Sequence, residues 1–139
     1  MAVSVLTDAM VIVNGVTLSD HANHVTVTDT RDSVEVTGFG ASNKAYTKGL
    51  GDATISINFF QDFAAGKVYA TLQPLISSST TVQLEVRPTS GARSATNPAF
   101  VMQSLLMNFT PVDGDVGAAS MITAEFVNGS NAGLTYLTA

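Results

Sequence analysis

The sequence predicts a mostly β structure with one central helix laid on a sheet face, and three observations predict it. Several segments alternate apolar and polar residues with period two, as a strand with one covered face requires. One stretch only, around Val68 and Leu72, carries helical spacing instead. Charged residues are 12% of the chain against 45% hydrophobic, where about a quarter charged is usual, so the surface must be built from other polar groups. Threonine and serine, 30 residues together, supply them. Low charge with abundant Thr, Val and Gly is typical of all-β modules and of self-assembling shells and tubes. A disordered chain carries more charge and fewer apolar residues. At 139 residues there is room for one core, hence a single domain over 1–139.

Taken in order, "MVIVNGVTLS" reads as a strand and hairpin about Asn14-Gly15, a favoured type I′ turn pair. In "HVTVTDTRDSVEVTGF" two short alternating runs, Val25/Val27 and Val34/Val36, flank a polar kink at 29–32 that is either a turn or a bulge. "GFGASNKAYTKGLG" (38–51) reads as a long polar loop, and "ATISINF" as a strand with Ile55, Ile57 and Phe59 on its inner face. The helix is expected over about residues 63–75, with Asp62 as its N-cap, Val68, Leu72 and Leu75 or Ile76 inward, and Pro74 ending its regular hydrogen bonding. "TVQLEVRP" alternates Val82, Leu84 and Val86 with Gln83, Glu85 and Arg87. "RPTSGARSATNP" (87–98) is a second long loop, and loops of this length are usually functional or mobile. "AFVMQSLLMNFTP" is apolar on both faces and reads as a strand covered on both sides. "ASMITAEFVNGS" and "LTYLT" complete the set as strands.

The chemistry a sequence can advertise is largely excluded. There is no cysteine, which removes disulfides, thiol catalysis and Cys-based zinc sites. Net charge is −5 and all six basic residues lie between Arg31 and Arg93, so no basic stripe exists to grip nucleic acid. No apolar run reaches the 18 or more residues of a membrane span. The start, "MAVSVLTDAMVIVNG", has Asp8 within its apolar stretch and no basic lead, and reads as mature sequence.

Gly66-Lys67 between a strand and a helix has the order of a phosphate-binding loop. The pattern needs a glycine where Gln61 stands and a hydroxyl where Val68 stands, and its glycines belong before the helix. Lys67 is therefore expected as a solvated helix residue and Gly66 as a close-packing position. "GFG" and "GLG" lack the rest of a dinucleotide fingerprint and read as loop hinges. His21 and His24 are spaced like metal ligands but have no further His or Cys to join them, and read as solvated loop histidines. Asp113 and Asp115 open a calcium-loop-like "DGDVG" that stops at Gly117 and reads as a β-turn. Glu35, Glu85 and Glu125 each sit on the polar side of a strand, a shared acidic surface rather than a buried catalytic pair.

Several unusual strings also occur in a familiar order. "GLGD" enters a strand; "QDFAAG", "VYATL" and "PL" form the helix region; "VRPTS" and "SATNP" close a strand into a loop; "DG" and "VG" precede the last strands. Over roughly residues 34–127 the chain resembles the major tail tube proteins of long, flexible-tailed bacteriophages. The resemblance implies a β-sandwich or barrel-like tail-tube fold with one flanking helix, and no enzymatic activity or cofactor. It implies six-fold rings that stack into a tube, whose lumen conducts DNA from capsid to host without specific binding. The implied partners are further copies of the chain and the tape-measure, tail terminator and baseplate or tip proteins. The implied location is the virion tail, assembled in the host cytoplasm and not inserted in a membrane. On that reading Gln83, Glu85, Arg87 and Glu125 are candidates for the lumen face, since a weakly acidic wall does not hold phosphates. Arg87 shares the Gln83/Glu85 face and would pair with a neighbouring subunit's acid. Ser42, Asn43, Lys44, Tyr46 and Lys48 are candidates for ring-to-ring contact. Two alternatives stand beside this reading. One is another virion ring or decoration protein such as a terminator or connector. The other is a non-viral β-sandwich binding module, for which the absence of Trp and the scatter of Tyr46, Tyr69 and Tyr136 speak poorly.

Overall fold

The computed structural model describes residues 3–139, so the first two residues of the expected 1–139 domain lie outside the described residues. The first strand, β1 (Met10–Val13), turns through Asn14 and Gly15 into β2 (Val16–Thr17). Both turn residues have positive φ, 50° and 81°, as a type I′ hairpin demands. A single 3₁₀ turn, Ser19–His21, leads into β3 (Ala22–Glu35), which pairs antiparallel with β4 (Tyr46–Phe60). The helix α1 (Val68–Ile76) follows, then β5 (Val82–Arg87), β6 (Ala99–Phe109), β7 (Met121–Asn128) and β8 (Leu134–Leu137).

The strands run in the order β2-β1-β5-β6-β7-β4-β3, with β8 also on β6. The strand β6 is the hinge of the molecule. One of its edges takes β5 along Phe100–Ser104; the other takes β8 along Ala99–Met102 and β7 along Ser104–Phe109. The sheet therefore divides into two layers that share β6. Val11, Leu84 and Met102 from one layer meet Ile55, Ile57 and Phe126 from the other in a continuous core. Full burial of each such side chain contributes about 1.5–3 kcal/mol. The inward residues Ile55, Ile57 and Phe59 are those that period two assigns, and each has no solvent exposure. The β-sandwich with one flanking helix is thus the fold that forms.

Several expectations are corrected, five of them at the helix. The helix begins at Val68, five residues later than position 63, and Asp62 is not its N-cap. Asp62 instead accepts the Ala64 amide at 2.9 Å, making a local turn, and Gly66 at φ 74° turns the chain into the helix. A Cβ there would meet nothing within 4 Å, so Gly66 serves conformation and not close packing, and Lys67 lies just before the helix. Pro74 sits within α1 and does not end it; Ala70 and Pro74 both face solvent, where the carbonyl that loses its helical partner is open to hydration.

The polar kink at 29–32 is a bulge inside one long strand, with the register shifting between Arg31 and Ser33. The expected loop 38–51 is a loop only as far as residue 45; its last six residues are strand, because β4 starts at Tyr46. Gly49 and Gly51 are not hinges; a Cβ on Gly49 would lie 2.9 Å from Val34 Cγ2 and 3.2 Å from Asp32 Cβ. These glycines let β4 pass close under the bulged partner. The strand β6 is not fully covered on both faces: Met102, Ser104 and Leu106 are buried, but Gln103 and Met107 are exposed.

Candidate assembly surfaces

Three surfaces stand out once the side chains are placed. The first is the outer face of the layer β3-β4-β7 and the second half of β6. Alternation turns Ile55, Ile57 and Phe126 inward and leaves Thr54, Ser56, Asn58, Thr123 and Glu125 outward. Strand register aligns them, so that one row reads Thr26, Ser56, Glu125, Asn108 across four strands. The face is hydroxyl-rich and sparsely charged, with the Thr123 hydroxyl donating to Asn58 Oδ1 at 3.0 Å. Glu125 is exposed here.

Both edges of this four-stranded layer lack a strand neighbour, although α1 packs on β6 through Tyr69 and Phe109. Among the described residues no strand pairs with the outer edge of β3. On the other side β5 leaves β6 at Ser104, so Leu105–Phe109 has a strand neighbour only in β7. Fourteen residues of unpaired edge on β3 are an invitation to a partner strand.

The second surface holds the other acidic candidates. Gln83 is exposed on β5, but Glu85 is only 5% exposed. Arg93 Nη2 donates to Glu85 Oε1, and Arg87 Nε lies 2.9 Å from Oε2. That N–H is not aimed at the carboxylate and finds no hydrogen-bond acceptor, so the contact is one of charge. Arg87 also donates from Nη1 to the Gly91 carbonyl at 2.7 Å. Arg93 comes from the 88–98 loop, which folds over the strand. Asn97 pins that loop by donating to the Gly91 and Ala92 carbonyls, each at 3.1 Å, and accepting the Thr89 amide at 3.0 Å. Hence Glu125 stands apart from Gln83, Glu85 and Arg87, on a different layer. Period two gave each residue its face; it could not say that an arginine eleven residues from the strand's start would cover Glu85.

The third surface is a β-arm. Beyond the bulge, β3 and β4 continue as a two-stranded ladder pairing Ser33 with Lys48, Val34 with Thr47 and Glu35 with Tyr46. Ser42, Asn43 and Lys44 lie at its tip, Tyr46 and Lys48 on its returning strand. The Val36 amide donates to the Ala45 carbonyl at 2.8 Å and the Ala45 amide to Thr37 Oγ1 at 2.9 Å, which close the tip. Phe39 is wholly exposed, and Val36 and Leu50 are largely so. Sequence reading passed over Phe39; an aromatic ring between two glycines in a polar stretch was the available signal. At the arm's base Arg31 donates to Asp29 Oδ1 at 2.5 Å and the Tyr136 hydroxyl donates to Oδ2. The tyrosine bond first, then Arg31, holds the Asp29 carboxyl below its ordinary range, and the same bond pushes Tyr136 up.

His21 is not a solvated loop histidine. Its side chain is 16% exposed, with Nδ1 2.8 Å from Asp20 and Nε2 2.9 Å from Asp62. The hydrogen bond to Asp20, then that to Asp62, raises its pKa. Asp20 is lowered chiefly by His21, and Asp62 chiefly by the Ala64 amide and then by His21. The imidazole thereby ties the 3₁₀ turn to the segment before α1.

No protein-family model and no curated protein matches the sequence. Solved structures do match. A chain of the virion of a native gene transfer agent particle superposes with TM-score 0.74 at 10% identity, covering 96% of this chain and 98% of that one. A chain of the sheath–tube complex of an extracellular contractile injection system, in the extended state, gives 0.72 at 10% identity, covering 99% and 93%. A chain of the tail of the empty gene transfer agent particle, refined with C6 symmetry, gives 0.65 at 9% identity, covering 84% and 81%. The fold of this chain, over essentially its whole length, is therefore one that phage-like particle tails and injection-system tubes use.

Proposed function

We propose that this chain is the structural, non-enzymatic subunit of a phage-type tail tube. The observation that carries the reading is the four-stranded layer with two open edges and a continuous polar outer face. Pairing part of the β3 edge of one copy with the Leu105–Phe109 edge of the next covers the β6 edge and shortens the unpaired run on β3. Repeated around a ring of six, the symmetry of the similar gene transfer agent tail, it closes a barrel of roughly two dozen strands. At about 4.8 Å between strands and the usual tilt, the backbone ring is on the order of 50 Å across. That exceeds the barrels of 16–18 strands that already hold an aqueous channel.

The polar face then lines the lumen, with Thr26, Ser56 and Asn58 as its wall and Glu125 as its fixed charge. Threonine and asparagine offer DNA no cationic partner, and Glu125 repels phosphate, so DNA passes without being held. Of the other lumen candidates, Gln83, Glu85 and Arg87 belong to the opposite layer, where Glu85 and Arg87 hold the 88–98 loop. Rings stack through the arm that carries Ser42, Asn43, Lys44, Tyr46 and Lys48. Tape-measure, terminator and baseplate proteins are the partners of such a tube, and the virion tail its location, after assembly in the host cytoplasm.

Negative-stain microscopy of the purified protein over a rising concentration series tests the reading. Hollow tubes of stacked rings are the expected result. Single rings that never stack would transfer the chain to a terminator or baseplate role, and a monomer at every concentration would refute ring formation.

A further inference from the structure

A cleft of about 340 Å³ opens between the two layers beside β3. Its floor is apolar: Val27 from β3, Val86 from β5, Phe100 from β6 and Leu134 from β8. It runs on, through Leu6, Ala9 and Val25, into a second hollow of about 500 Å³. Three acids border the two, Asp8, Asp20 and Asp29, against one arginine, Arg87; Arg87 is paired to Glu85, Asp20 to His21 and Asp29 to Arg31, which leaves Asp8 as the acid with no ion pair among the described residues. The groove is thus apolar in its floor and acidic at its rim.

The arm tip has the opposite character. Residues 36–45 contain no acid and one base, Lys44, which forms no ion pair among the described residues. The same segment holds Val36 and the fully exposed Phe39. With Val34, Tyr46 and Leu50, which are also exposed on the arm, they give it an exposed apolar character of the kind that marks an interaction surface. The arm cannot cover Phe39 with the groove of its own chain. Val27 and Asp29 on β3 border the groove, and from Asp29 the paired ladder runs outward to Glu35 before the tip begins. Six extended residues carry the tip about 20 Å away, and the cross-strand bonds keep the ladder from folding back.

We infer that the arm tip of one copy docks in the groove of a second copy, with Phe39 on the Val27, Phe100 and Leu134 floor and Lys44 against Asp8 on the rim. The contact is head-to-tail, since donor and acceptor are different patches of one chain, and such contacts propagate. The displacement it imposes runs along β3, so it joins successive copies lengthwise. The inference deepens the tube reading by giving the stacking arm its receptor, and rests on that reading only in supposing that copies associate.

The cysteine-free chain allows a direct test. Phe39→Cys with Leu134→Cys, under mild oxidation, is expected to give a ladder of covalent multimers on a non-reducing gel. Phe39→Cys with Thr123→Cys, which places the second thiol on the polar face, is expected to give none. Phe39→Asp, on an arm outside the core, is expected to fold with the wild-type melting temperature and to lower the yield of stacked rings at least tenfold while single rings persist. Tubes as abundant in Phe39→Asp as in the wild type, or no ladder above the control pair, would overturn the docking. Wild-type tubes without the ladder refute the groove and leave the tube standing. A ladder from a chain that never forms rings refutes the tube and leaves the groove standing.

Discussion

His21 is the residue whose surroundings translate most directly into a pH dependence. Its pKa is raised above the ordinary 6.5, so its contribution to stability is complete below about pH 6.5 and fades as pH climbs through the raised value. Asp20 and Asp62 are lowered from 3.8; their contribution is complete above that value and is lost as pH falls through the depressed ones. Stability from this clamp therefore peaks between about pH 4 and 6.5. Thermal melts at pH 6 and pH 9 are expected to show a lower midpoint at the higher pH, and the drop should vanish in His21→Gln. Glu85 is a second test at this scale. Removing a buried partner strands two guanidinium groups, so Glu85→Ala is expected to cost about 3 kcal/mol in urea unfolding, far beyond the effect of an exposed acid. Neither role was legible in the sequence. Spacing shows that His21 and Glu85 sit on polar sides of local elements. The groups that enclose them, Asp62 and Arg93, arrive through the tertiary fold.

At the scale of elements the strands were legible because their inner faces are simple. Ile55, Ile57 and Phe59 alternate cleanly, and Leu84 and Val86 do likewise, so covered faces could be read off directly. The helix core was legible for the same reason: Val68, Leu72 and Leu75 are its buried residues. Its start was not, because an Asx turn at Asp62 offers the same residue type as an N-cap. The arm was hidden by its glycines. Gly49 and Gly51 look like loop residues, yet they are where β4 crosses beneath the bulge in β3. Gly49→Ala is therefore expected to loosen the arm alone. Hydrogen exchange should quicken for amides 33–48 while the global unfolding free energy changes by under about 0.5 kcal/mol, since the arm lies outside the core. Leu72→Ala should do the reverse, costing about 2–5 kcal/mol globally through the cavity it leaves.

For the whole molecule, charge sparsity and open edges belong to one design. A chain with few charges and many hydroxyls can bury broad polar surfaces between copies at low desolvation cost. The fold class followed from such features, but which face a ring would turn to its lumen did not, since that depends on which edges are left unpaired once β5 leaves β6 at Ser104. Glu125→Lys tubes are expected to assemble normally and to retain duplex DNA, with retention lost as salt is raised; electrophoretic mobility of DNA with purified tubes measures it.

The account turns on how copies join, and a cryo-electron microscopy map of the assembled protein at side-chain detail reads that directly. Rings in which β3 of one copy lies hydrogen-bonded beside Leu105–Phe109 of the next, with Thr26, Ser56 and Glu125 facing the channel, are the result this account requires. Rings with the β3 edge unpaired, or with Glu125 on the outer wall, would contradict it.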